Sequence, residues 1–227
     1  MPCSPSTSTA STCARSHRSL ASSPARSVSP PSIVRGRRET RAIGRAIVAA
    51  CTAAGLNEVF VFGSQAILAT WDETRLPART TLSVEADIAP LATTPHAVDI
   101  VGLVATKIEA DFGEGSEWHA QHGWYIQGVE RATALLPEGW EERLVDVVPL
   151  DSRLRGRCLS AYDVCAAKLA RLEPKDAEFV DALIQAGMIS PRRLRTFIDR
   201  IPDSEFERYD GARDRRAIRA WVIDRER

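Results

Sequence analysis

The 227-residue chain has only three lysines, at 107, 168 and 175, and only five cysteines, two methionines and three tyrosines. No two cysteines form a Cys-x-x-Cys pair, which argues against the common structural zinc modules and the dithiol redox motif. Cys3 and Cys13 lie near the start, whereas Cys51, Cys158 and Cys165 sit in apolar, helix-like surroundings. Buried free thiols in a reducing cytoplasm are expected. No run approaches the roughly 18–20 uncharged apolar residues that a membrane span requires, so no membrane partner is expected. The apolar core of a secretory signal is missing too.

Acidic residues are absent before Glu39, while six arginines (Arg15, Arg18, Arg26, Arg35, Arg37 and Arg38) precede it. The formal net charge of zero therefore divides into a tail of +6 and a body of −6, with 24 basic against 30 acidic residues from Glu39 onward. Eleven of the first 32 residues are serine, and proline recurs at 2, 5, 24, 30 and 31. Such a segment buries too little apolar surface to offset its ordering entropy, so 1–38 is expected to be a disordered Arg/Ser/Pro-rich tail. An organellar transit peptide would need an amphipathic helix, which the proline spacing opposes; a start of translation near Val34 is the alternative. The acidic body argues against a general nucleic-acid binder, whose affinity comes from positive fields.

From Glu39 to Ala54, Ile43, Ile47 and Cys51 recur at helical spacing before Gly55, predicting an amphipathic helix with a glycine cap. Glu58-Val59-Phe60-Val61-Phe62 predicts a strand that halts at Gly63-Ser64 and leads into a helix over 65–69. A second strand is predicted over 82–88, with Leu82, Val84, Ala86 and Ile88 on one face and Ser83, Glu85 and Asp87 on the other. Residues 98–111 read as a helix, 112–123 as a connection, and 124–126 and 144–148 as strands. Helices are expected from Ser160 to Leu172, from Lys175 to Ala186, from Ser190-Pro191 onward, and over 213–225. This is an α/β (α+β) pattern: a small mixed sheet with flanking helices over 39–150, then a C-terminal helical region over 151–227.

A glycine-serine turn opening a helix offers backbone N–H groups and a hydroxyl to an anion. Two carboxylates roughly 7 Å apart on one strand face suit one or two Mg²⁺ ions bridging phosphate oxygens. Phe60-Val61-Phe62-Gly63-Ser64-Gln65-Ala66 and Ser83-Val84-Glu85-Ala86-Asp87-Ile88 together resemble the DNA-polymerase-β-like nucleotidyltransferase superfamily, with its Gly-[Gly/Ser] turn and Asp-x-Asp strand. The chain is further similar to an uncharacterised bacterial branch of it related to toxin–antitoxin proteins, through 118–129, 135–140 and 159–183, roughly 40–200 in all.

The resemblance implies a nucleotidyltransferase fold in which Gly63 and Ser64 contact a nucleoside triphosphate, Glu85 and Asp87 bind metal, and Lys168 faces phosphate or substrate. It implies transfer of a nucleoside monophosphate to a hydroxyl of an acceptor protein or RNA. The rival is a catalytically silent member acting as a cognate toxin or antitoxin. Glu85 stands where the superfamily has aspartate, one methylene longer. A third carboxylate sits on the next core strand in that superfamily; Asp146, which interrupts an apolar strand, is the leading candidate, and Asp99 is second.

Other polar residues have plainer readings beside functional ones. His119 and His122, with His96, suggest zinc; alternatively one of them supports the active-site wall or packs beside Trp124. Asp163, three residues after Ser160, fits a capping box. Lys175-Asp176 follows Pro174 and fits a helix start, where the dipole favours aspartate, or has a functional role. Trp118, Trp124 and Trp140 suit a core or a base-stacking platform. Arg192, Arg193, Arg195 and Arg200, with Arg213, Arg215, Arg216 and Arg219, form a solvated surface or an RNA groove.

Overall fold

Among the described residues, six short strands form one mixed sheet in the order β1-β5-β6-β2-β3-β4. They are β1 (Ile33–Arg35), β2 (Glu58–Val61), β3 (Glu85–Pro90), β4 (Tyr125–Gly128), β5 (Val145–Val148) and β6 (Arg155–Cys158). The computed structural model describes residues 33–35, 41–90, 98–150, 152–209 and 212–227. The predicted tail therefore lies outside the described residues, apart from 33–35, which pair in parallel with β5. His96 also lies outside them.

The helix predicted from Glu39 is α1 (Arg41–Ala54), closed by Gly55 at φ +65°. Its apolar face, with Ile43, Ile47 and Cys51 buried, packs on the sheet beside α2 (Val98–Phe112). Two glycines let these helices come close. A Cβ on Gly156 of β6 would come within 2.3 Å of Ile47 Cδ1, and one on Gly128 of β4 within 1.9 Å of the Ala105 carbonyl oxygen. Opposite this layer, α4 (Ala161–Arg171), α5 (Pro174–Gln185), α6 (Pro191–Ile198), α7 (Asp203–Arg208) and α8 (Arg215–Asp224) complete the chain. One apolar core runs from Ile43 to Val222.

Several expectations are corrected. The second strand starts at Glu85, not at 82: Leu82 and Val84 are exposed, and the buried alternation begins with Ala86 and Ile88. Arg155-Gly156-Arg157-Cys158, unread as a strand, inserts between β5 and β2, so the sheet is not complete at residue 150, and Cys158 is in a strand, not a helix. The segment after Gly63 is a six-residue 3₁₀ helix, and the 112–123 connection contains α3 (Glu117–His122), capped by Ser116. Asp163 does more than cap: fully buried, it receives Arg143 Nη2 at 2.6 Å, and Arg143 also donates to the Glu138 carbonyl at 3.1 Å. That pair ties the 137–143 segment to α4.

Gly156→Ala is expected to lose about 1–3 kcal/mol of stability through overpacking against Ile47, measured by urea denaturation. Adding Ile47→Val, which removes the clashing methyl group, should recover part of the loss. Equal stabilities for Gly156→Ala and the natural chain would contradict this packing.

Candidate active site

The site begins where β2 ends. Antiparallel pairing of β2 with β3 aligns Val61 with Ile88, and the Phe62 N–H donates to the Asp87 carbonyl at 2.9 Å. Gly63 follows at φ +61°, and a Cβ there would lie 1.7 Å from Asp87 Oδ2. Only glycine lets the carboxylate rest over this turn. Gln65 Nε2 donates to the Ser83 carbonyl at 2.7 Å and so ties the turn to the approach of β3.

A cavity of about 510 Å³ opens here, with Gly63, Ser64, Glu85 and Asp87 on one wall. Lys168 and Arg171 of α4 and Lys175 of α5 line it from another side. Lys168 and Arg171 are aligned by Asp176, which is fully buried. Asp176 accepts Lys168 Nζ at 2.7 Å and Arg171 Nε and Nη2 at 3.1 and 3.2 Å. Lys168 Nζ also sits 4.8 Å from the centre of the Phe179 ring. One carboxylate against two cations leaves this wall positive. Burial pulls the Arg171 pKa down, but Asp176 and Tyr209 outweigh it and raise it.

Burial, and then the neighbouring Glu85 charge, push the Asp87 carboxyl up to about 7, while Lys168, Arg171 and Lys175 pull it back. Glu85 accepts the Tyr125 hydroxyl at 3.0 Å, and burial followed by that bond pushes the Tyr125 phenol up to about 12. The expected sites are thus partly united: Gly63, Ser64, Glu85, Asp87 and Lys168 share one cavity. Asp146 does not join them. It lies on β5, three strands from β3, paired with Arg155 at 3.5 Å and Arg157 at 3.8 Å. β3 is flanked by β2 and β4, and on β4 the residue opposite Asp87 is Gln127, an amide that lines the cavity. Among the described lining residues, Glu85 and Asp87 are the only carboxylates. Asp99 falls in α2.

Along 49–223 the chain matches a family described as nucleotidyltransferase of unknown function (DUF6036). This chain belongs to that nucleotidyltransferase family. No curated protein and no solved structure matches it.

In this member of the family, Arg171, Gln127 and Tyr125 carry no strong local signal of a site role. Arg171 has a weak one, since it follows Lys168 by three residues on the same helix face; Gln127 and Tyr125 had none before strand pairing placed them. Among the described residues no cluster of three or more His, Cys, Asp or Glu is arranged to hold a metal ion. His119 and His122 have other partners: His119 lies against Tyr125 at 5.1 Å, and His122 stacks on Trp118 at 3.9 Å. Trp118 also meets Trp124 edge-on at 5.3 Å, while Trp140 packs among Phe60 and Phe62, so the tryptophans pack inward. Of the C-terminal arginines, Arg195, Arg215 and Arg219 pair with Glu226, Asp203 and Asp199. Burial raises the Cys51 thiol to about 11 and the Cys165 thiol to about 12, and shifts Cys158 upward as well, which removes them as nucleophiles. No helix among the described residues is long and apolar enough to cross a membrane.

Two outcomes follow. Asp87 is protonated in the folded chain up to about pH 7 but ionised in the unfolded chain above its ordinary value of 3.8. Stability therefore falls as pH rises through that window. Asp87→Asn should remove this slope and stabilise the protein at pH 8 by a few kcal/mol, since each of roughly three pK units is worth about 1.4 kcal/mol; thermal melts of both chains at pH 5 and 8 measure it. Asp176→Ala should cost about 3–5 kcal/mol, because it leaves Lys168 and Arg171 close together without their buried counter-charge. Urea midpoints check it, and a loss below 1 kcal/mol would show that Asp176 does not hold the wall.

Proposed function

We propose that this protein is a Mg²⁺-dependent, cytoplasmic nucleotidyltransferase that moves a nucleoside monophosphate from a nucleoside triphosphate to a hydroxyl of a protein or RNA acceptor. What carries the reading is one cavity with two carboxylates on one wall and Lys168, Arg171 and Lys175 lining it from another side. That division suits a triphosphate and its metal, the cations facing phosphate oxygens and the acids facing the metal. The donor set fits Mg²⁺, which is commonly held by one or two carboxylates with phosphates and water completing the shell. Two acids close enough to raise the Asp87 pKa would be relieved by such a cation. Mg²⁺ bound there, as one ion or two, would supply charge neutralisation on the phosphate oxygens.

The chain's own residues would do the rest. Gly63 lets Asp87 approach the phosphate turn, and Ser64 offers its hydroxyl there. The Ser64–Ala69 segment is too short to contribute much of a helix dipole. Phosphate binding therefore falls mainly to Lys168, Arg171 and Lys175. Membership of the DNA-polymerase-β-like superfamily, in its toxin–antitoxin-related branch, agrees with the Gly63-Ser64 and Glu85-x-Asp87 pattern.

A second reading, a catalytically inactive binding protein such as a toxin–antitoxin component, is favoured by one observation. On β4, which flanks β3, the residue opposite Asp87 is the amide Gln127, and amides do not take a proton from an attacking hydroxyl.

Calorimetry with each nucleoside triphosphate, with and without Mg²⁺, tests the first reading. Mg²⁺ should tighten triphosphate binding at least about tenfold, and Glu85→Ala and Asp87→Ala should each abolish the gain. Metal-independent binding, or none, would sink it. Labelled triphosphate incubated with protein and RNA fractions then separates the two readings: label transferred to either marks an enzyme, and metal-dependent binding without transfer marks the silent member.

A further inference from the structure

Glu85 is longer by one methylene than the aspartate of the motif it resembles, and its carboxylate turns on one more bond. A ligand that swings freely is a poor match for a cation demanding near-ideal octahedral geometry. The neighbouring strand answers this. β3 and β4 run parallel with Glu85 opposite Tyr125 and Asp87 opposite Gln127, which brings the four side chains out on one face of the sheet. Tyr125 donates its hydroxyl to Glu85 Oε2 at 3.0 Å.

The tyrosine is itself held. Its ring lies 5.1 Å from that of His119 at an interplanar angle of 60°. His119 is fixed in turn, because its Nδ1 accepts the Gly115 N–H at 3.0 Å and its backbone N–H donates to the Ser116 cap at 3.2 Å. Tyr125 is not among the residues lining the cavity, so its action reaches the site through Glu85.

We infer that Tyr125 is a positioning residue for the metal site: by holding Oε2 of Glu85, it fixes the rotation of this longer carboxylate and leaves Oε1 the freer oxygen for a cation. The inference rests on the reading of Glu85 and Asp87 as metal ligands. It predicts coupling between the hydroxyl and the length of residue 85. A shorter aspartate withdraws the carboxylate from Tyr125, and the hydroxyl then has nothing to orient.

The test is a double-mutant cycle on the full chain, with Mn²⁺ alone as probe and the spectroscopic signal of free Mn²⁺ as readout. Tyr125→Phe should weaken Mn²⁺ binding about tenfold, as loss of an outer-shell hydrogen bond typically does. In a Glu85→Asp background the same change should alter affinity less than about twofold. Thermal melts of all four chains check the fold, which phenylalanine preserves by keeping the ring against His119. No effect of Tyr125→Phe, or an equal loss in both backgrounds, overturns the positioning role while leaving the metal ligands standing. Failure of the unmodified chain to bind Mn²⁺ overturns the metal reading and this inference together.

Discussion

The site depends on a fit between a backbone and a carboxylate: a Cβ on residue 63 would fall 1.7 Å from Asp87 Oδ2. Much follows from that one missing atom. The positive φ of Gly63 turns the chain out of β2, and the space above it admits Asp87. The same tight turn draws Asp87 out of water, which with Glu85 alongside lifts its pKa to about 7. The strain of two near-neighbouring acids is thus built in by the backbone, and a cation in the cavity is the natural way to relieve it.

The facing charges obey a complementary constraint. Isolated cations on α4 would point into solvent, gaining little from any surface partner. Buried Asp176 instead binds both Lys168 and Arg171, and its carboxylate cannot neutralise the two of them. A positive surface is thereby held in place by the fold itself, which would reduce the ordering that binding of the proposed triphosphate requires. Asp163 uses the same device with Arg143, but there the outcome is structural, because that pair anchors the 137–143 segment and does not line the cavity.

Much of the site could be read in the chain. Gly63, Ser64, Glu85 and Asp87 were legible because turn chemistry and strand alternation are local properties, encoded within a few residues. The rarity of lysine drew attention to Lys168, although its buried partnership with Asp176 was not visible. What failed was mostly adjacency. Asp146 interrupts an apolar strand, but its charge is met by Arg155 and Arg157 of β6, a strand that the polar run Arg-Gly-Arg-Cys does not announce. The onset of β3 was misread for a related reason. Leu82 and Val84 continue the alternation in sequence yet are exposed, and the strand register with β4 begins at Glu85 opposite Tyr125.

By itself the sequence determined the α/β class, the amphipathic first helix, the glycine-serine turn and the pair of acids on one strand face, because each depends on contacts between residues near in the chain. Only the tertiary structure decided which strand lies beside β3, that an amide and not a carboxylate stands opposite Asp87, that Tyr125 holds Glu85, and that a buried aspartate aligns two cations along the cavity. These depend on strand order and on charges brought together from distant segments. Local propensity carries no information about either, since the same short strands could pair in several orders until the helices close over them and the buried charges find their partners.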